Sequence, residues 1–201
     1  MKKLSLLLFL LSSISVLAQS QYPVMKDSII NPGIYRTFAE FRNNKPTILL
    51  NHKIISDEVS YGGFGSSNSL TAYAIDIPKK EGREIGEVFG FSDGKNFYFI
   101  ASEYTDIYFP NKIHNFNFYK VESVGKYCYY DAIQNSGPNS GTIPTRRINV
   151  LNMDLGEIKL LSKSYLKELL SEKPELLERF KKQENKYQHL KEYLIEFLKV
   201  N

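Results

Sequence analysis

The sequence predicts an α+β fold: a mainly antiparallel β-sheet, with a short N-terminal helix and a C-terminal helical segment packed on it. Three observations predict it. Residues 84–101, EIGEVFGFSDGKNFYFIA, read as two strands turning at Asp93-Gly94, and Asp-Gly between β-prone runs is a strong hairpin signal. Fourteen Tyr and thirteen Phe with no Trp make an aromatic chain that favours pleated structure. From Ser162 onward the apolar residues recur at three- and four-residue spacing, the period of a helix.

The chain starts with a charged Met1-Lys2-Lys3, a mostly apolar run over residues 4–17, and small residues at Val16 and Ala18. That is the pattern of a secretory signal peptide cut after Ala18, leaving Gln19 first. The run is short for a membrane span, and no later segment is long and apolar enough to be one. No cysteine follows the cut, which argues against a lipoprotein anchor. The expected organisation is a signal peptide over 1–18, a loose lead-in over 19–32, and one α+β domain over 33–201. That domain is β-rich to about residue 161 and helical over 162–201. Export places the product in the periplasm or outside the cell. The formal charge is +4, and two lysines leave with the leader, so a broad nucleic-acid surface is not implied. Cys128 is the sole cysteine. It allows no intramolecular disulfide, and its setting, GKYCYYDAI, predicts burial in a strand.

Taken in order, residues 34–44 read as a short helix. Thr37 and Glu40 have capping-box spacing, Phe38 and Phe41 share a face, and Asn43-Asn44 with Pro46 ends it. Residues 47–50 are a short strand candidate. Residues 57–60 are polar, and 61–69 (YGGFGSSNS) form a loop. This loop lacks the Gly-Lys-Ser/Thr and the third glycine that a phosphate cradle needs. Residues 70–77 fit a strand ended by Pro78, and 79–83 a charged turn.

With Asp93 and Gly94 as a two-residue loop, Ser92 opposes Lys95, Phe91 opposes Asn96, Gly90 opposes Phe97, Phe89 opposes Tyr98 and Val88 opposes Phe99. Phe89, Phe91 and Tyr98 then share one face, and Val88, Phe97 and Phe99 the other. Gly86 and Gly90 leave room beside the rings. Apolar groups on both faces place this ribbon inside a layered structure. Its polar tip, Asp93, Gly94, Lys95 and Asn96, is the candidate ligand-binding element, although turn chemistry alone accounts for these residue types.

Residues 103–115 look irregular around Pro110. Residues 116–121 and 127–133 read as strands linked near Gly125. Residues 134–144 form a long loop open to mobility or nicking, and 147–151 with 157–161 make a last hairpin. Ser162 or Ser164 caps the first tail helix, and Pro174 opens a new helical turn. Leu176, Leu177, Phe180, Tyr187, Leu190, Leu194, Phe197 and Leu198 form the apolar stripe of one or two helices, expected to rest against the aromatic ribbon.

The common chemistries leave little trace. His52, His114 and His189 are scattered, with no metal-ligand spacing, and no GxSxG elbow occurs. No cofactor and no metal is expected. Asp93, Glu87, Glu103, Asp106 and Asp131 are the carboxylates of the sheet region. Two of them would serve glycoside hydrolysis only if brought about 5–9 Å apart in a cleft. The expected function is therefore a non-catalytic binding or interaction module of the cell envelope, with a protein or a glycan as ligand. The alternative is a hydrolase acting on envelope or dietary polymers through paired carboxylates. A third reading has the tail stripe docking another chain.

Three stretches, GIYRTFAEFRNNKP at 33–46, GFSDGKNFYF at 90–99 and MDLGEIKLL at 153–161 with the helix that follows to 170, resemble a family of uncharacterised exported proteins from Gram-negative bacteria. The resemblance implies export and one shared architecture. It carries no catalytic role and no functional residue to this chain.

Overall fold

The structure is a computed structural model, and it describes Val24 and residues 30–63, 65, 67–100, 113, 115–134 and 143–199. Nine strands and five helices are seen among them. The first half holds β1 (Gly33–Tyr35), α1 (Phe38–Arg42), β2 (Ile54–Ser60), β3 (Ser69–Ile75), α2 (Lys79–Ile85), β4 (Gly90–Ser92), β5 (Phe97–Ile100) and β6 (Phe118–Lys120). The second holds β7 (Tyr127–Gln134), β8 (Thr145–Asn152), β9 (Glu157–Leu160), α3 (Lys163–Leu170), α4 (Pro174–Lys182) and α5 (Leu190–Lys199). The strands form a six-stranded sheet, β1-β4-β5-β6-β3-β2, and a three-stranded sheet, β7-β8-β9. Every pairing is antiparallel.

Strand alternation builds the layers. Cys128, Tyr130 and Ala132 of β7 and Leu151 of β8 meet Tyr35, Phe97, Phe99 and Tyr119 of the larger sheet. Phe41 of α1 closes this core edge-on, its ring 4.7 Å from those of both Phe97 and Phe99. Tyr127, Tyr129 and Val150 point the other way, beneath Leu166, Leu169, Phe180, Leu194 and Phe197 of the three tail helices. A third cluster, with Ile34, Ile75, Phe91, Tyr98 and Phe118, covers the outer face of the larger sheet. Each fully buried Phe or Leu contributes about 1.5–3 kcal/mol relative to exposure.

The ribbon does lie inside a sheet, flanked by β1 and β6, but its register differs from the expected one. Gly90 pairs with Phe99, Phe91 with Tyr98 and Ser92 with Phe97, so the loop has four residues, Asp93–Asn96, rather than two. The Asp93 side chain organises the longer loop. The shift is two residues, so the faces of Phe91, Tyr98, Phe97 and Phe99 survive. Val88 and Phe89 exchange faces, because β4 begins only at Gly90. The Phe89 N–H donates to the Tyr35 carbonyl at 2.9 Å, and the Phe89 ring packs on Phe41 and Phe99. Phe99 does lie over Gly90: a Cβ there would sit 2.7 Å from its ring and 2.4 Å from the Tyr98 carbonyl oxygen. Gly86 is no strand glycine. It ends α2 at φ +78°, a left-handed value that glycine adopts freely.

Other boundaries move for local reasons. Residues 79–83 are helix, because Pro78 precedes a run with Glu81 in its first turn and Arg83 in its last. Residues 34–35 are strand, and α1 starts after Thr37, whose hydroxyl accepts the Glu40 N–H at 3.2 Å. The polar stretch 57–60 is the end of edge strand β2, where charged side chains face water. The tail stripe packs on β7 and β8, not on the ribbon, because alternation in YCYYDAI makes the smaller sheet apolar on both faces. Tyr187 leaves the stripe and is 72% exposed. Ser162 is the cap of α3, accepting the Tyr165 N–H at 3.0 Å, and Pro174 is the first residue of α4. The leader, the irregular stretch at 103–112 and the loop at 135–142 lie outside the described residues. Among the described residues no helix is long and apolar enough to cross a membrane.

Candidate functional site: a cleft at the hairpin tip

Asp-Gly turns are made by side chains that bond their own backbone. Here Asp93 Oδ1 accepts the N–H groups of Lys95 and Asn96 at 2.7 and 2.6 Å. Oδ2 accepts from the Asn96 amide and the Tyr98 hydroxyl, both at 3.0 Å. Gly94, at φ +90°, donates its N–H to Ser92 Oγ at 3.0 Å. Partial burial pushes the Asp93 carboxyl upward, but these hydrogen bonds outweigh it and hold the group below the usual carboxylate range. Tyr98 is pushed above its ordinary value, first by burial, then by its hydrogen bond to Asp93 and the Asp93 charge, so it stays a donor.

The tip sits against the lead-in, whose last residues are not loose. Gly94 approaches Ile30 and Pro32. Asn31 is bonded to Asn44 through its N–H at 2.9 Å and its amide at 2.6 Å. Asn44 is buried in a left-handed conformation, φ 51°, and Tyr35 donates to the Asn31 carbonyl at 2.7 Å.

Between tip, lead-in and edge strand opens a cleft of about 420 Å³. Pro32, Leu50, Ile54 and Ile55 supply its apolar lining, and Ser56, Tyr73, Asp93 and Tyr98 its polar groups. The rings of Tyr73 and Tyr98 stand 4.6 Å apart at 53°, and Phe91 stacks on Tyr98 at 5.0 Å. Burial, then the charges of Glu58 and Glu122, raises the Tyr73 hydroxyl as well. Such a wall suits a small amphipathic group, with aromatic faces for its apolar side and hydroxyls for its polar side. Asp93 is the one carboxylate among the lining residues, and its proton affinity is lowered, the wrong direction for a general acid.

Of the four tip residues named from sequence, Asp93 reaches the cleft, while Gly94, Lys95 and Asn96 build the turn that fixes it. Tyr73, Tyr98 and Ser56 were not named. Tyr98 was legible as a ribbon aromatic, but Tyr73 and Ser56 arrive through the pairing of β3 with β2 and β6, which no local pattern announces. The other candidate groups lie apart. His52 meets Glu81 at 3.0 Å and His189 meets Glu192 at 2.7 Å, both near the surface. Asp131 is engaged with Arg146 and Lys191. His114, Glu103 and Asp106 lie outside the described residues. Among the described residues no group of three His, Cys, Asp or Glu is placed to hold a metal ion. In comparisons with known proteins, no family model, no curated protein and no solved structure matches this chain.

Proposed function

We propose that this chain is an exported, non-catalytic binding module of the cell envelope, and that the cleft at the hairpin tip is where its ligand sits. The observation that carries the reading is the state of Asp93. Its four accepted hydrogen bonds make it a brace for Tyr98 rather than a proton carrier. The cleft is thereby a fixed aromatic wall, the kind of preformed surface that recognises a sugar unit or a protruding side chain of a protein. Export is supported by the charged start, the apolar run over 4–17 and the small residues before the expected cut. The hydrolase alternative needs a second carboxylate facing the first across a cleft, and the lining of this one offers Asp93 alone.

The test titrates the full chain with envelope glycan fragments and with envelope-protein peptides, read by saturation-transfer NMR. Binding should be blocked by Ser56→Trp, which fills the mouth from an exposed position. Tyr73→Ala should weaken it about tenfold, the scale of one aromatic contact. Binding indifferent to both substitutions, or hydrolysis of a fragment that persists in Ser56→Trp, would overturn the proposal.

A further inference from the structure

A second recess of about 710 Å³ lies on the helical side of the molecule, where α4 turns into α5. Lys163, Lys182, Lys186, Tyr187, Gln183 and Gln188 line it, and Glu184 is the single carboxylate among its lining residues. The connection is locally braced. The Lys186 ammonium donates to the Gln183 carbonyl at 2.5 Å, and Asn185 takes a left-handed φ of 47°. Elsewhere on α4 the basic side chains are matched: Arg179 grips Glu196 with both nitrogens, at 2.6 and 3.0 Å, and Lys181 meets Glu178 at 2.7 Å. Lys163, Lys182 and Lys186 form no salt bridge within 4.0 Å among the described residues.

Cations at the end of a helix complement its dipole, and that alone would account for Lys182 and Lys186. It does not account for Tyr187. This ring broke out of the apolar stripe to stand in water at 72% exposure. The Lys163 ammonium lies 3.6 Å from the ring centroid, close enough for a cation–π contact, and the ring is otherwise largely exposed. An exposed flat ring steadied by one ammonium, in a recess lined by two more, matches a ligand with an apolar ring face and an anionic substituent.

We infer that this recess binds an acidic saccharide, a sugar bearing carboxylate or phosphate, with the sugar ring on Tyr187 and the anion between Lys182 and Lys186. The site is separate from the hairpin cleft and lies across the two-sheet core from it. An acidic trisaccharide, trigalacturonate, binds the full chain, whereas the neutral galactose trimer binds at least about tenfold more weakly at low salt. Lys182→Glu with Lys186→Glu lowers trigalacturonate affinity about tenfold, the scale of losing two ion pairs near the surface. Tyr187→Ala lowers affinity for both sugars, and Ser56→Trp in the hairpin cleft changes neither. Inorganic phosphate is the third probe: binding as tight as trigalacturonate would reduce the site to an ion contact and overturn the saccharide. Equal affinity for acidic and neutral trimers, or affinity unmoved by the lysine reversals, would overturn the inference outright. Lys182 and Tyr187 are exposed, whereas Lys186 is half-buried and braces the turn. Lys182→Glu alone is therefore measured beside the double variant and should itself weaken trigalacturonate binding. Far-ultraviolet circular dichroism checks that each variant is folded.

Discussion

Lys191 of α5 reaches Asp131 of β7 at 2.5 Å and shares its Oδ2 with Arg146 of β8, at 2.8 Å. The Asp131 side chain is only 6% exposed, while its two partners remain partly in water. This carboxylate therefore ties the last helix to the smaller sheet, beneath the cluster that Tyr129, Leu194 and Phe197 form.

Burial works to raise the Asp131 carboxyl, but hydrogen bonds from Arg146 and Lys191 and their charges outweigh it, and the group lies below its ordinary value. A folded value below the unfolded one means stability that is fully present above the unfolded value, near pH 4, and lost as pH falls through the lower folded value. Urea unfolding should show this loss in the native chain. Asp131→Asn should be less stable near neutrality by about 2 kcal/mol and show a flatter acid limb. Parallel acid limbs in the two proteins would show that Asp131 does not hold the helix.

Gly90 of the ribbon and Gly86 at the end of α2 should both lose stability on substitution, but unequally. Gly90→Ala forces a methyl against the Tyr98 carbonyl and the Phe99 ring, in a strand flanked on both sides. It should cost about 2–3 kcal/mol. Gly86→Ala meets open space and pays only for its backbone, φ +78° with ψ −153°, a conformation essentially confined to glycine, about 1–2 kcal/mol. Thermal unfolding midpoints give the order, and a midpoint lower for Gly86→Ala than for Gly90→Ala would contradict the packing of Phe99 over β4.

Cys128 is fully buried between the sheets, and burial pushes its thiol up to about 12. The thiolate is the reactive form, so the native protein should resist a maleimide reagent at pH 8 and release one reactive thiol in denaturant. Rapid labelling of the native chain would place Cys128 outside the core.

Sequence made the ribbon, the last hairpin and the tail helices legible, because each rests on neighbours. Asp93-Gly94 announces a turn, Asn152 and Glu157 bracket another, and Ser162 and Pro174 mark helix starts. Long-range placement was not legible. Apolar residues on both faces of residues 127–133 could belong to one buried sheet or to two layers, and only tertiary pairing puts the tail over Tyr127 and Tyr129. The hairpin register failed for a smaller reason. Asp-Gly alone suits a two-residue turn, whereas the Asp93 side chain bonds the N–H groups of both Lys95 and Asn96, and that takes four residues. The cleft needed both kinds of information: Asp93 and Tyr98 come from one hairpin, Tyr73 and Ser56 from another.

The order of strands in the larger sheet sets a timetable. β3 must wait for β6, which follows the whole β4–β5 ribbon, before β2 and β3 can join the rest. The smaller sheet and its helices run straight from residue 127 to residue 199, each strand beside its predecessor. Short loops close at lower entropic cost than long ones, so the C-terminal half should acquire protection first. Pulsed hydrogen exchange during refolding would find the amides of β7 and β8 shielded before those of β3, and a chain emerging N-terminus first would keep its larger sheet incomplete until Phe118–Lys120 is free to join it.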